Sequence, residues 1–196
     1  MSLRISRLSN HKLDGSRKYF LDSNVWIFTL GAIVNPNPRE TAYLSFAENL
    51  LQHEIKIQTH TLVFSEVFNA LLRNAFDDFK SQLKANALDE AARKKIEGYS
   101  LKKHFRGTTE YQTALERIKS DVQAYIPSLE FLDKSYDLDF EYISKSLTAS
   151  SDFNDYLYYE MALDLGLTIV TDDGDFNFSG IEILTENHWS LKNSQS

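Results

Sequence analysis

The chain has 196 residues, 42% hydrophobic and 25% charged, proportions usual for globular proteins and too apolar for a disordered one. A single domain of this size buries enough surface to fold without a disulfide or structural metal. It contains no cysteine, which excludes thiol catalysis, disulfide scaffolds and cysteine-based zinc sites. The net charge, 21 − 28 = −7, hides an uneven distribution. Residues 1–18 carry five bases against one acid, and residues 80–106 eight bases against three acids. Residues 130–175 carry two bases against twelve acids. Each run reads first as a solvated face, but an acidic pocket with basic flanks is also what a metal-dependent nuclease needs.

In chain order, residues 1–16 read as a mobile or loosely docked arm, with charges where a signal peptide needs an apolar stretch. The longest apolar run, Val25 to Val34, falls well short of the ~20 residues that span a bilayer. No membrane partner is expected, and the reading is a cytoplasmic protein. Tyr19-Phe20-Leu21 is a short buried strand ending in a turn at Asp22-Ser23-Asn24. The prolines of Asn35-Pro36-Asn37-Pro38 mark a loop. Apolar residues from Glu40 to His53 recur at helical spacing, Ile55 to Gln58 alternate as in a strand, and a helix follows over about 62–83. Residues 88–126 read as two charged helices broken near Gly107. A strand at 129–132 and a short helix at 140–147 come next. An amphipathic helix from Asp152 or Phe153 to Leu165 is stopped by Gly166. Then come the apolar strand Leu167–Thr171, an Asp-Asp-Gly-Asp turn and a last strand over 181–184. Strands alternating with helices imply an α/β domain with a mostly parallel sheet covered on both faces. Its functional crevice belongs at the carboxyl ends of the strands, where Asp22 and the 172–175 acids fall.

Three carboxylates interrupt apolar patterns. Asp22 is the only charge between Tyr19 and Pro38, and Glu66 the only one in TLVFSEVFNALL. Asp155 shares its helix face with Tyr158 and Ala162, near a helix N-terminus that favours an anion. Asp152 either joins it or caps the helix. A buried carboxylate costs several kcal/mol unless it is paired or coordinates a metal. Asp172, Asp173 and Asp175 follow an apolar strand directly, as turn residues or as further ligands. Hard cations such as Mg²⁺ take oxygen ligands of this type.

Three stretches carrying these acids, KYFLDSNVWIF, LVFSEVFNALLR and DFNDYLYYEMALDLGLTIVTDDGDF, resemble the PIN-domain ribonucleases, most closely the VapC-type toxins of toxin–antitoxin systems. The last stretch is the most specific, with Asp155, Ala162, Gly166, Thr171, Asp173 and Phe176 in register. The resemblance implies a PIN-like domain over 17–196 with a helical insertion over about 76–126. It implies an endoribonuclease that uses Mg²⁺ or Mn²⁺ and has Asp22, Glu66, Asp155 and Asp173 at the catalytic metal site. Asp175 and Asp152 are further candidate ligands, and Asn24 and Thr171 occupy the supporting polar positions. It also implies an RNA substrate, an antitoxin partner and a homodimer. The insertion brings Lys94, Lys95, Lys102, Lys103 and Arg106 as candidate RNA-binding residues, with Tyr99 and Phe105 as base-stacking or core aromatics. The alternatives are an inactive PIN scaffold binding RNA or protein, and a haloacid-dehalogenase-like phosphatase. The second is disfavoured by Asn at position 24, where that chemistry needs a second Asp. No Walker or dinucleotide-binding glycine motif and no H-E-x-x-H spacing occurs.

Overall fold

A computed structural model describes residues 4–31, 33, 35–134, 139–147 and 152–193. Its chain divides into two compact units, one running up to Phe64 and again from Pro127, the other spanning Ser65–Ile126.

The first unit is α/β. Its strands are β1 (Arg4–Arg7), β2 (Lys18–Leu21), β3 (Ile57–Thr59), β4 (Leu129–Phe131), β5 (Leu167–Val170) and β6 (Glu182–Thr185). They form one sheet in the order β1-β6-β5-β2-β3-β4, and every pairing is parallel. Tyr19, Phe20 and Leu21 of β2 are fully buried, and all of β5 is buried. That is why both strands read as continuous apolar runs: a parallel sheet is covered on both faces. Adjacent residues of a strand point to opposite faces. Tyr19 meets Phe46 edge-on at 5.4 Å between ring centroids, so α2 (Pro38–Gln52) lies on one face. Phe20 meets Tyr158 at 5.0 Å, which puts α7 (Phe153–Leu165) on the other. Helix α2 starts with a capping box between Asn37 and Glu40 and carries Pro38 in its first turn, the position where a missing N–H costs nothing. Helix α7 ends at Gly166, in the left-handed region at φ 66°.

Three elements escape the sequence pattern. Helix α1 (Ser23–Leu30) occupies the run read as a turn followed by core. It is buried through Val25, Trp26 and Leu30, and an apolar helix with no polar face gives no periodic signal. Strand β1 falls inside the stretch expected to be a loose arm. Its residues are mostly exposed, and the stretch is tied down by an Arg7–Glu186 ion pair at 3.0 Å and by the Ser9 N–H on Glu186 at 2.7 Å. Further along, His11 and the Asp14 N–H both bond the Tyr19 hydroxyl, at 2.9 and 3.0 Å. The third element is the short α8 (His188–Asn193). Helix α6 (Phe140–Ser146) agrees with expectation.

Helix α3 (Thr61–Ala85) carries the chain into the second unit, so the helical segment separates at Ser65, eleven residues before the expected insertion begins. Helix α4 (Glu90–Glu97), a π-helical turn at Leu101–Phe105 and α5 (Thr109–Tyr125) complete it. Phe105 is fully buried and packs its ring against Phe76 at 5.6 Å, Phe79 at 5.2 Å and Tyr111 at 5.5 Å. It is a core residue, so the base-stacking role considered for it does not hold. Half-buried Tyr99 stacks on His104 at 4.3 Å. No described helix is long and apolar enough to cross a membrane.

Candidate active site

Strands β2 and β5 are neighbours, and the chain leaves β2 toward β3 on one side while β5 leads to β6 on the other. The sheet order reverses between them, and the carboxyl ends of such a pair form the crevice where α/β folds place their ligands. Asp22 follows β2 and Thr171 follows β5. The Asp22 N–H extends the ladder by donating to the Val170 carbonyl at 3.0 Å, and the Thr171 N–H donates to Leu184 at 3.1 Å. Both side chains are therefore set by the sheet itself.

Asp22 is only 5% exposed. Its Oδ1 accepts the Ser23 N–H at 2.6 Å, which caps α1. Its Oδ2 accepts the Asn24 amide at 2.7 Å and the Thr171 hydroxyl at 2.7 Å. Charge-assisted bonds of this kind are about twice as strong as neutral ones, and these fix the carboxylate's orientation. Asn24 also donates to Thr171 Oγ1 at 3.1 Å and accepts the Asp172 N–H on its own Oδ1 at 2.9 Å. Thr171 Oγ1 accepts the Asp173 N–H at 3.0 Å. Asn24 and Thr171, expected as supporting residues, thus join Asp22 to the loop after β5.

The three acids of that loop have different surroundings. Asp172 turns to α2, accepting from the Tyr43 hydroxyl at 3.0 Å and facing the Arg39 guanidinium at 3.4 Å. Burial pushes its carboxyl above the usual range, against the opposing pull of Tyr43 and Arg39. Asp173 is half-buried, and its Oδ1 accepts the Asp175 N–H at 2.8 Å. Asp175 is exposed. Asp172 and Asp173 both tie their backbone N–H groups into the Asp22 network, through Asn24 and Thr171 respectively, but only the Asp172 carboxylate is claimed by α2.

Asp155 is half-buried in the first turn of α7. Gly166 joins the other end of that helix directly to the start of β5, so α7 runs back along the sheet and its N-terminus lies at the carboxyl ends of the strands. Asp155 stands three residues, ~4.5 Å, nearer that end than Tyr158. Exposed Asp152 takes the capping role, accepting the Asp155 N–H at 2.9 Å. Glu66 belongs to the second unit, half-buried on α3 rather than sealed in an apolar helix. Among the described residues, no group of three or more histidine or acidic side chains could hold a metal ion.

Sequence reading missed Tyr43. It is fully buried on α2, and its hydroxyl reaches the Thr171 carbonyl at 3.0 Å, Asp172 Oδ1 at 3.0 Å, Thr185 Oγ1 at 3.2 Å and the Glu186 N–H at 2.8 Å. Burial raises its pKa far above the ordinary tyrosine range, so it remains a donor. Asn187 adds a bond to the Asp172 carbonyl at 2.7 Å. Both residues brace the acid loop, through the Thr171 and Asp172 carbonyls, and neither carries a sequence signal other than an ordinary amphipathic helix or a polar loop.

No protein-family model, curated protein or solved structure matches the chain.

Proposed function

We propose that the chain is a PIN-like, Mg²⁺- or Mn²⁺-dependent endoribonuclease. The observation that carries this reading is the Asp22–Asn24–Thr171–Asp173 network at the reversal point of the sheet. A carboxylate that is 5% exposed and oriented by three donors is a fixed oxygen ligand at the end of the sheet. Its donor chemistry, carboxylate oxygen without nitrogen or sulfur, suits a hard cation. Mg²⁺ is held by one or two carboxylates and keeps waters for substrate phosphate, so Asp22 and Asp173 would hold it, with Asp155 at the same end of the sheet. The bound ion would lower the pKa of a water and offset charge on the leaving oxygen. Asn24 and Thr171 keep Asp22 in one orientation, and Tyr43 and Asn187 keep the 171–173 backbone in place. Positioning and electrostatics are then the protein's contribution, without a nucleophilic side chain. Glu66 enters through the resemblance alone. A VapC-like toxin role, an antitoxin partner, a homodimer and a cytoplasmic location accompany this reading.

The test is cleavage of a structured RNA by the purified protein with Mg²⁺ or Mn²⁺, beside EDTA and Asp22→Asn controls. Cleavage abolished by both controls is the expected result. No cleavage, together with no rise in melting temperature on adding Mn²⁺, would overturn the nuclease and leave a scaffold that binds RNA or protein.

A further inference from the structure

The second unit contains eleven Lys and Arg residues against nine acids, and several of its cations are already neutralised. Lys84 pairs with Glu97 at 3.1 Å, Lys119 with Glu116 at 2.8 Å and Arg93 with Glu90 at 3.9 Å. Lys94, Lys95, Lys103 and Arg117 make no ion pair among the described residues either, but Arg73, Lys102 and Arg106 are set apart by their position. All three are exposed, none makes an ion pair or side-chain hydrogen bond among the described residues, and all three line one cavity. Asn69 on α3, one turn before Arg73, lines the same cavity, with Phe76 and Leu101 as its apolar walls and Asp77 as its one acid. The π-helical turn contributes Lys102 and is closed by the Arg106 N–H on the Leu101 carbonyl at 3.0 Å. π-Helical turns are rare and are frequently found at functional sites.

Three unneutralised cations around a concave, partly apolar cavity repel one another unless an anion enters. One carboxylate, Asp77, leaves two positive charges unbalanced. Guanidinium forks match phosphate oxygens bidentately, and the Asn69 amide can donate to phosphate or sugar. We propose that Arg73, Lys102, Arg106 and Asn69 form a subsite for the phosphodiester backbone of RNA. The choice of RNA as the polyanion rests on the ribonuclease reading. The cavity also separates Lys102 and Arg106 from the other basic candidates: Lys94, Lys95 and Lys103 are exposed but do not line it.

The experiment measures binding of a 12-nucleotide single-stranded RNA, without divalent metal, to the full-length Asp22→Asn protein over a range of salt. An Arg73→Gln/Lys102→Gln/Arg106→Gln triple variant is compared with a Lys84→Gln/Arg93→Gln/Lys119→Gln triple of equal charge change in the same unit. The pocket triple should weaken binding at least tenfold. It should also flatten the slope of log K against log salt by about 2, at ~0.7 per phosphate contact. The control triple should stay within about threefold. Asp77→Asn should tighten binding severalfold, a gain that no folding defect can mimic. Equal losses in the two triples, no gain from Asp77→Asn, or no RNA binding at all would each overturn the subsite. Competition by inorganic pyrophosphate at concentrations comparable to the RNA would show a small-phosphate site and overturn the assignment to RNA. RNA binding that needs the pocket in a wild-type protein without metal-dependent cleavage would sink the nuclease and leave the subsite standing. Cleavage indifferent to the pocket triple would do the reverse.

Discussion

Thr171→Val removes one buried hydroxyl from the site with almost no change of volume. Thr171 is fully buried, and its Oγ1 donates to Asp22 Oδ2 at 2.7 Å while accepting from the Asp173 N–H and the Asn24 amide. Valine leaves no cavity, so the cost is polar. A bond to an ionised group contributes about 1.5–3 kcal/mol. Asn24 retains its bond to Asp22, and half-buried Asp173 can offer its N–H to water, so those two losses add little. The expected destabilisation is about 2–3 kcal/mol, or a drop of roughly 4–12 °C in melting temperature at ~2–4 °C per kcal/mol for a chain of this size. Thr171→Ser keeps the hydroxyl and loses one buried methyl, at about 1 kcal/mol. Urea titrations of both variants isolate the hydroxyl: valine should be the less stable by about 1–2 kcal/mol. A valine variant as stable as the serine one would refute the claim that this hydroxyl holds Asp22.

Asp173→Asn should abolish Mn²⁺ binding, read by paramagnetic broadening or calorimetry, whereas Asp172→Asn should leave it intact because Asp172 faces Arg39 and Tyr43; the opposite pattern would reassign the ligand. Asp172→Asn should also raise the melting temperature near neutral pH. Burial places the folded carboxyl's pKa above its unfolded value, so its ionisation costs stability as pH rises through that raised pKa; an unchanged or lower melting temperature would contradict this. His11 and His60 are both held below the ordinary imidazole value, by burial first. Their contribution to stability is complete above pH ~6.5 and is lost as the pH falls below it, so a His11→Gln/His60→Gln protein should lose less melting temperature between pH 7.5 and 5 than the wild type. Gly166→Ala should cost about 1–2 kcal/mol, because φ is +66° there although a Cβ meets nothing within 4 Å; a change below ~0.5 kcal/mol would place no strain at that helix end.

How much was legible in advance depended on whether a residue's own neighbours carried its signal. Burial on both faces writes β2 and β5 into the chain as apolar runs, a helix with one wet face announces α2 and α7 by period, and Gly166 marks a stop by its conformation. Asp22, Asn24 and Thr171 stood out because polar groups break such runs. Helix α1 gave no such signal, since an apolar helix buried on several sides has no period to detect. Strand β1 was hidden for the opposite reason: an exposed edge strand needs little hydrophobicity, and its partners are β6 and Glu186, nearly 180 positions away. Separating Asp172 from Asp173 also required the fold, because adjacent acids on a turn look alike until Arg39 and Tyr43 of a distant helix claim one of them. The same holds for Arg73, Lys102 and Arg106. Charge along the chain counts cations, but only packing shows which of them already have a partner and which share a cavity without one.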